Sequence, residues 1–323
     1  MLPVTMWSSH DSSLFPWTPR IDLSYASRRK LSRLLDNIMA DDRVCGSALE
    51  YIWQPMASYL ISPQPQSPNT CPNPSSLSVQ GVGSATVRSA LARNIPTVAF
   101  LRNPTKLPDD IRPGPTLSVV QGDALSKDSL KQAILHTGQP VSAVVLAAPM
   151  GSMSTRGKTR YEDITRSVVE VVQEVQKAHG KRIKLWVMAG SAILSHPDFP
   201  DRLLNSFMPM AFYEEYIYAW KDLEERFRDV DWSINCPALI KSGEPSGPYY
   251  YSTDVLPGYR KPYALTRWIP GQWGYALNIM FSNWMAQPVS FRTLGEFMVD
   301  HLDLDTELKH KRVGVLEDPG ARK

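Results

Sequence analysis

Residues 81–101 read GVGSATVRSALARNIPTVAFL. Gly81 and Gly83 open a helical stretch over Ala85–Arg93, and the apolar run Ile95–Leu101 behind it suits a strand buried on both faces. The same alternation continues downstream. Leu117–Val120, Val141–Ala148, Ile183–Ala189 and Trp232–Ile240 read as further buried strands. Between them, Thr159–Ala178 gathers Tyr161, Ile164, Val168, Val171, Val172 and Val175 on one helical face and stops at Gly180. Ala211–Arg228 does the same with Phe212, Tyr216, Ala219, Leu223 and Phe227. Strands joined by helical crossovers predict right-handed βαβ units, hence an α/β fold with a doubly wound Rossmann-type parallel sheet and helices on both faces. Ligands of such sheets lie at the carboxyl ends of the strands.

Upstream the chain changes character. Residues 1–76 hold nine of the 27 prolines and one of the 18 glycines, Gly46. Ser62–Ser76 (SPQPQSPNTCPNPSS) cannot bury apolar surface and reads as extended or flexible. Before it, Arg29–Met39 and Ser47–Leu60 carry apolar residues at helical spacing. The expected organisation is therefore a Pro/Ser-rich, partly disordered segment over 1–76 and a regular domain over 77–323, with a substrate-binding part from about 241.

Composition narrows the function classes. The 323 residues are 43% hydrophobic and 21% charged, and the formal net charge is +3. No Lys/Arg run exceeds three residues, which argues against a nucleic-acid partner. No apolar run nears the ~20 residues needed to span a bilayer. The N-terminus lacks a basic-then-apolar signal pattern, and the three cysteines (Cys45, Cys71, Cys236) form neither a disulfide framework nor a CxxC knuckle. A cytoplasmic location is expected. The six histidines show no HExxH, the turn around Ser191 is not a GxSxG elbow, and there is no GxxxxGK[ST] loop. Cys236, inside a strand, reads as a core residue.

Taken in order, VGSATVRSALARN, TVAFLRNPTKL, LSVVQGDALSKDSLKQAI and VSAVVLAAP resemble the atypical short-chain dehydrogenase/reductases of the NmrA-like, NAD(P)H-binding type, over residues 81 to about 316. A looser resemblance, through HPDFPDR, FYEEY and DWSINCPALI, is to fungal tailoring oxidoreductases of the averufin-oxidase kind, which implies secondary metabolism. The family fingerprint is GxxGxxG. If Gly83 is its third glycine, Leu77 and Gln80 stand at the first two, and residues 72–80 make a poor buried strand. The piece before about residue 80 is thus not expected to be the family's native first strand.

The resemblance implies a cofactor set of Gly81, Gly83, Ser84, Arg102, Lys106, Asp123, Ala124, Ala147, Ala148, Pro149 and Pro237. Glycines before a helix let backbone N–H groups approach phosphate, although a plain glycine loop reads the same way. Arg102, at the end of the second strand, suits a 2′-phosphate, so NADP(H) is expected over NAD(H); a solvated basic loop is the alternative. Asp123 would border the adenine or cap a helix, a role Ser126 could equally fill. Ala147, Ala148 and Pro149 are small, as a strand end beside a ribose requires, or simply tightly packed.

For catalysis the resemblance implies Ser191, after the fifth strand, and Lys221 on the following helix. The YxxxK spacing fails, since Ile217 precedes Lys221 by four. Tyr218, three before, shares its face; Tyr216, five before, turns away; Tyr213 lies two turns back. Each of these has a bland alternative as a capping serine, a core or a surface residue. At 100° per residue, Lys221 should leave the core and point to a rim. Pro248–Tyr251 and Tyr259–Trp273 are dense in aromatics, suited to a flat apolar substrate or to closing the core. Two functions follow: an NADPH-dependent oxidoreductase acting on a carbonyl or aromatic small molecule, or an NmrA-like cofactor-binding regulator without turnover.

Overall fold

The computed structural model describes residues 57–61 (backbone), 81–147, 160–207, 214–258, 274, 278 and 288–318. The chain divides into two compact units, Met1–Trp53 and Gln54–Lys323. The helix expected over Arg29–Met39, the segment 62–80 and the aromatic stretch 259–273 lie outside the described residues.

The second unit is built on an eight-stranded sheet. Its strands are β1 (Ala57–Ile61), β2 (Thr97–Leu101), β3 (Leu117–Gln121), β4 (Ala143–Ala147), β5 (Lys184–Met188), β8 (Asp231–Asn235), β10 (Tyr249–Thr253) and β12 (Arg312–Glu317). The spatial order is β10-β12-β8-β5-β4-β1-β2-β3. Short pairs β6 (Ser195–His196) with β7 (Phe199–Leu203), and β9 (Ile240–Lys241) with β11 (Val289–Ser290), lie outside it. The helices are α1 (Gly81–Ala92), α2 (Lys127–Ile134), α3 (Tyr161–His179), α4 (Glu214–Arg226) and α5 (Phe291–Asp300).

Alternation sorts the helices onto two faces. Val98, Phe100, Val144, Leu146, Leu185, Val187, Trp232 and Ile234 pack with α2, α3 and α4. Ala143, Val145, Trp186, Met188, Val313 and Val315 pack with α1 and α5. The expected caps form: the Ser126 hydroxyl accepts from the Ser129 N–H to start α2, and Gly180, with φ 64°, ends α3. The run expected as one strand over Trp232–Ile240 divides, because Pro237 has no N–H for the ladder.

The sheet is parallel between β2 and β3 and across β4, β5, β8 and β12. The strand between β2 and β4 runs the other way. Ala57 pairs with Leu101 and Ala147, and Ile61 with Thr97 and Ala143. This corrects two expectations: Ala57–Leu60 is strand rather than the end of a helix over Ser47–Leu60, and the segment before residue 77 contributes to the sheet. The reason is backbone accounting. β2 and β4 each present a row of N–H and C=O groups at mid-sheet, and an extended pentapeptide satisfies both rows where a helix satisfies neither.

At the opposite edge from the strands' carboxyl ends, Lys184 and Asp231 are both fully buried. Lys184 Nζ donates to Asp231 Oδ1 at 2.7 Å and Ser233 Oγ at 2.9 Å, and Asp231 Oδ2 accepts from the Asp305 N–H at 2.8 Å. This network ties β5, β8 and the 305 loop together. Close to the carboxyl end of β12, Glu317 Oε1 accepts from Ser290 N (2.7 Å) and Thr293 Oγ1 (2.6 Å). Its Oε2 accepts from Ser246 N (2.8 Å) and Oγ (2.6 Å), with Lys241 Nζ at 3.0 Å. Burial alone would raise the Glu317 carboxyl; the hydrogen bonds from Ser246, Thr293 and the Ser290 N–H prevail and hold it at about 2.

Candidate functional site: the carboxyl edge of the sheet

The edge begins at β2 and β3. Arg102 directly follows β2 and Asp123 follows β3 after Gly122, with Arg102 Nη2 at 3.9 Å from Asp123 Oδ1 and both side chains about half exposed. Asp123 Oδ1 also accepts from the Leu125 N–H at 3.0 Å, so Asp123 shapes the turn while Ser126 caps α2. Between them Gly122 is required: a Cβ there would stand 2.4 Å from the Phe100 ring and 2.9 Å from Ser129 Cβ. Lys106 is exposed on the turn Pro104–Lys106, which Asn103 caps, and Ala124 is a core residue.

α1 starts at Gly81, whose φ of +81° suits glycine. Gly83 and Ser84 are buried in the first turn, and the Ser84 hydroxyl donates to Gly81 O at 3.0 Å. α5 closes over this turn: Gly295 lies so near that a Cβ would stand 2.6 Å from Ala85 C and 2.7 Å from Thr86 N. Because β1 runs towards the edge where β2 and β4 begin, it does not lead straight into α1 by a glycine turn. Among the described residues the helix terminus is present, and no strand leads directly into it.

Ala147 ends β4, half-buried; Ala148 and Pro149 lie outside the described residues. Beyond β5, the turn Met188–Ser191 is held from three sides. Tyr161 Oη donates to Met188 O at 2.6 Å, Ala189 N–H to Asn235 O at 2.8 Å, and Ser191 N–H to Pro237 O at 3.1 Å. Ser191 is half-buried and opens a short 3-10 turn. Arg312 braces that turn from below: its Nη1 donates to Ile193 O at 2.6 Å, its Nε to Asp254 Oδ1 at 3.2 Å, and its guanidinium lies 4.2 Å from the Trp220 ring centroid on α4.

The tyrosines sort differently from the spacing argument. Tyr216 is buried, with its ring 4.6 Å from Tyr161 edge to face, and a Cβ on Gly190 would stand 3.3 Å from it. Tyr218 is 54% exposed. Lys221 is exposed too, and among the described residues its side chain makes no hydrogen bond or ion pair. Tyr216, Ala219 and Leu223 face inward, and Tyr218 and Lys221 each stand about 200° from a member of that stripe. The structure therefore brings Tyr216 to the Ser191 turn and leaves Tyr218 and Lys221 on the solvent side; Tyr213 lies outside the described residues. Burial pushes the Tyr161 phenol and the Cys236 thiol above their ordinary ranges, so both read as structural.

Asn235, the last residue of β8, was not anticipated. Its side chain is fully buried, and neither Nδ2 nor Oδ1 has a hydrogen-bond partner. Tyr249 and Tyr251, read as pocket walls or as closing the core, take the second role: they pack on Phe297 of α5 with ring centroids 5.4 Å away in both cases. Their hydroxyls donate to Asp300 and Glu307. Among the described residues no group of His, Cys, Asp and Glu is placed to hold a metal ion, and no helix is long and apolar enough to cross a membrane.

A family model described as NAD(P)H-binding matches residues 80–259, more than half of the chain, and the chain belongs to that family. The match begins one residue before α1 and leaves β1 out. A Burkholderia pseudomallei protein described as exported superposes with a TM-score of 0.50 at 16% identity, over 73% of this chain and 95% of that one. A Veillonella parvula short-chain dehydrogenase/reductase in complex with NADP gives 0.48 at 13%, over 75% and 92%. A Lactobacillus casei protein gives 0.47 at 20%, over 73% and 94%. No curated protein matches the sequence.

The residues fit an NAD(P)H dinucleotide at both ends of the edge. Arg102 and Lys106 would supply positive charge and hydrogen-bond donors at one, beside Asp123, and the Ser191 turn and Asn235 lie at the other. Between them the α1 terminus offers backbone N–H groups.

Proposed function

We propose that this protein is an NADPH-dependent oxidoreductase acting on a carbonyl or aromatic small molecule. The observation that carries the reading is one edge with two chemistries. Arg102 follows β2 and Ser191 follows β5, three strand spacings or about 14 Å away. A guanidinium at the first position favours a 2′-phosphate. The half-buried Ser191 hydroxyl, set by a turn that Tyr161, Pro237 and Arg312 hold rigid, would donate a hydrogen bond to a substrate oxygen. NADPH, when bound, supplies a hydride. The residues' part is to hold the dinucleotide along the edge and orient the oxygen that gains negative charge.

A second reading, a cofactor-binding regulator without turnover, draws on two observations: Tyr218 and Lys221 on the solvent side of α4, and the reversed β1 beside α1. NADPH fluorescence titration followed by a panel of quinones and aromatic ketones separates the two. Turnover abolished by Ser191→Ala supports the enzyme; tight binding without turnover of any panel member supports the regulator. Lys221→Ala refines the assignment. A loss of about 10²-fold in turnover would restore it as an acid–base partner, and unchanged kinetics would leave it a surface residue.

A further inference from the structure

We propose that the Asn235 side chain is a recognition group for a carboxamide-type function on the bound ligand. This rests on the reading of the carboxyl edge as the ligand site. Asn235 closes β8 at that edge, where its carbonyl accepts from Ala189 N–H and where Pro237 O, two residues on, accepts from Ser191 N–H. Its side chain is fully buried, yet all of its hydrogen-bonding capacity is unmet, with neither Nδ2 nor Oδ1 engaged. Buried polar side chains are nearly always satisfied, because removing an amide from water without replacing its hydrogen bonds is unfavourable.

The strand row gives Asn235 no help. Its register partners are Met188 on β5 and Val313 on β12, and both side chains belong to the apolar layer shared with α5. An aliphatic residue would suit that row better, as Met188 and Val313 do. An amide offers an acceptor and a donor side by side in one plane. The group that satisfies both at once presents a donor and an acceptor in the reverse order: a primary carboxamide or a lactam. Two sources carry that chemistry, the nicotinamide carboxamide of the cofactor and an amide-bearing substrate.

Asn235→Leu decides it, through two readouts. The first is the melting temperature without ligand: the variant should melt at or above wild type, since an unsatisfied amide is replaced by an apolar side chain. The second is binding, measured by titration with NADPH, with its 3-acetylpyridine analogue (a methyl group in place of the amide nitrogen) and with benzamide. If the cofactor is the source, wild type prefers NADPH to the analogue by roughly tenfold, as the one neutral hydrogen bond lost with the amide N–H allows, and the variant loses that preference. If the substrate is the source, the analogue binds like NADPH, and benzamide stabilises wild type but not the variant. A variant that melts lower would show that the fold itself uses the amide. Identical binding of all three ligands by wild type and variant would reduce Asn235 to the partner of a buried water. Either result overturns the proposal. Should wild type bind no NADPH, the oxidoreductase reading falls and the benzamide arm still decides Asn235.

Discussion

Replacing Arg102 with alanine isolates the charge at the β2 end of the edge. The guanidinium is 47% exposed and its approach to Asp123, itself 44% exposed, is 3.9 Å. Ion pairs between groups this exposed contribute at most about 1 kcal/mol, so the variant should melt within about 4 °C of wild type. A hydrogen bond from a guanidinium to a 2′-phosphate is stronger, about 1.5–3 kcal/mol, and is often bidentate. Since each 1.4 kcal/mol is a factor of ten, NADPH should weaken by roughly 10- to 100-fold while NADH is nearly unchanged. Fluorescence titration of both reduced cofactors, with the melting temperature in parallel, makes the measurement. Asp123→Asn gives the converse: with the neighbouring carboxylate neutralised, the 2′-phosphate meets an uncompensated guanidinium, so NADPH should bind more tightly and with a steeper dependence on salt. Equal weakening of both cofactors in Arg102→Ala would mean that the residue acts through the fold. Unchanged NADPH binding would remove the phosphate assignment altogether.

Three other substitutions test how the edge is supported. Asp231→Ala leaves Lys184 buried without its carboxylate and should destabilise the fold by about 3–5 kcal/mol in chemical denaturation, with the companion Lys184→Met change recovering most of it. Glu317→Gln removes an acceptor from the Ser246 and Ser290 contacts. The wild-type carboxyl sits at about 2 against an ordinary 4.5, so its contribution, about 3 kcal/mol, is complete above pH 4.5 and lost as pH falls towards 2. The variant should be less stable at neutral pH and lack that acid transition. Gly295→Ala places a Cβ against the backbone of Ala85 and Thr86, forcing α1 and α5 apart at a cost of about 1–3 kcal/mol and weakening dinucleotide binding at the α1 terminus.

Much of the architecture is legible in the order of the residues. Apolar runs such as Val141–Ala148 and the one-sided helices ending at Gly180 and Arg228 specify element type and sequence. Periodicity encodes burial, and burial on two faces or one distinguishes inner strand from outer helix. The same reading put Arg102 and Ser191 at strand ends, since a residue following a buried run must leave the sheet where ligands are bound.

What tertiary structure decided is pairing. Ala57–Ile61 is a strand because a gap between β2 and β4 presents two unfilled rows of hydrogen-bonding groups, and nothing within the pentapeptide states its direction or partners. Spacing from Lys221 singled out Tyr218, yet it is Tyr216 that meets the Ser191 turn, because the stripe that α4 buries sets which tyrosine turns inward. The Lys184–Asp231 pair joins residues 47 apart in the chain, and the isolation of the Asn235 amide depends on Met188 and Val313 from two other strands. Element type follows from a residue's near neighbours along the chain. Direction, partner and the satisfaction of a buried polar group follow from neighbours that only the folded chain brings together.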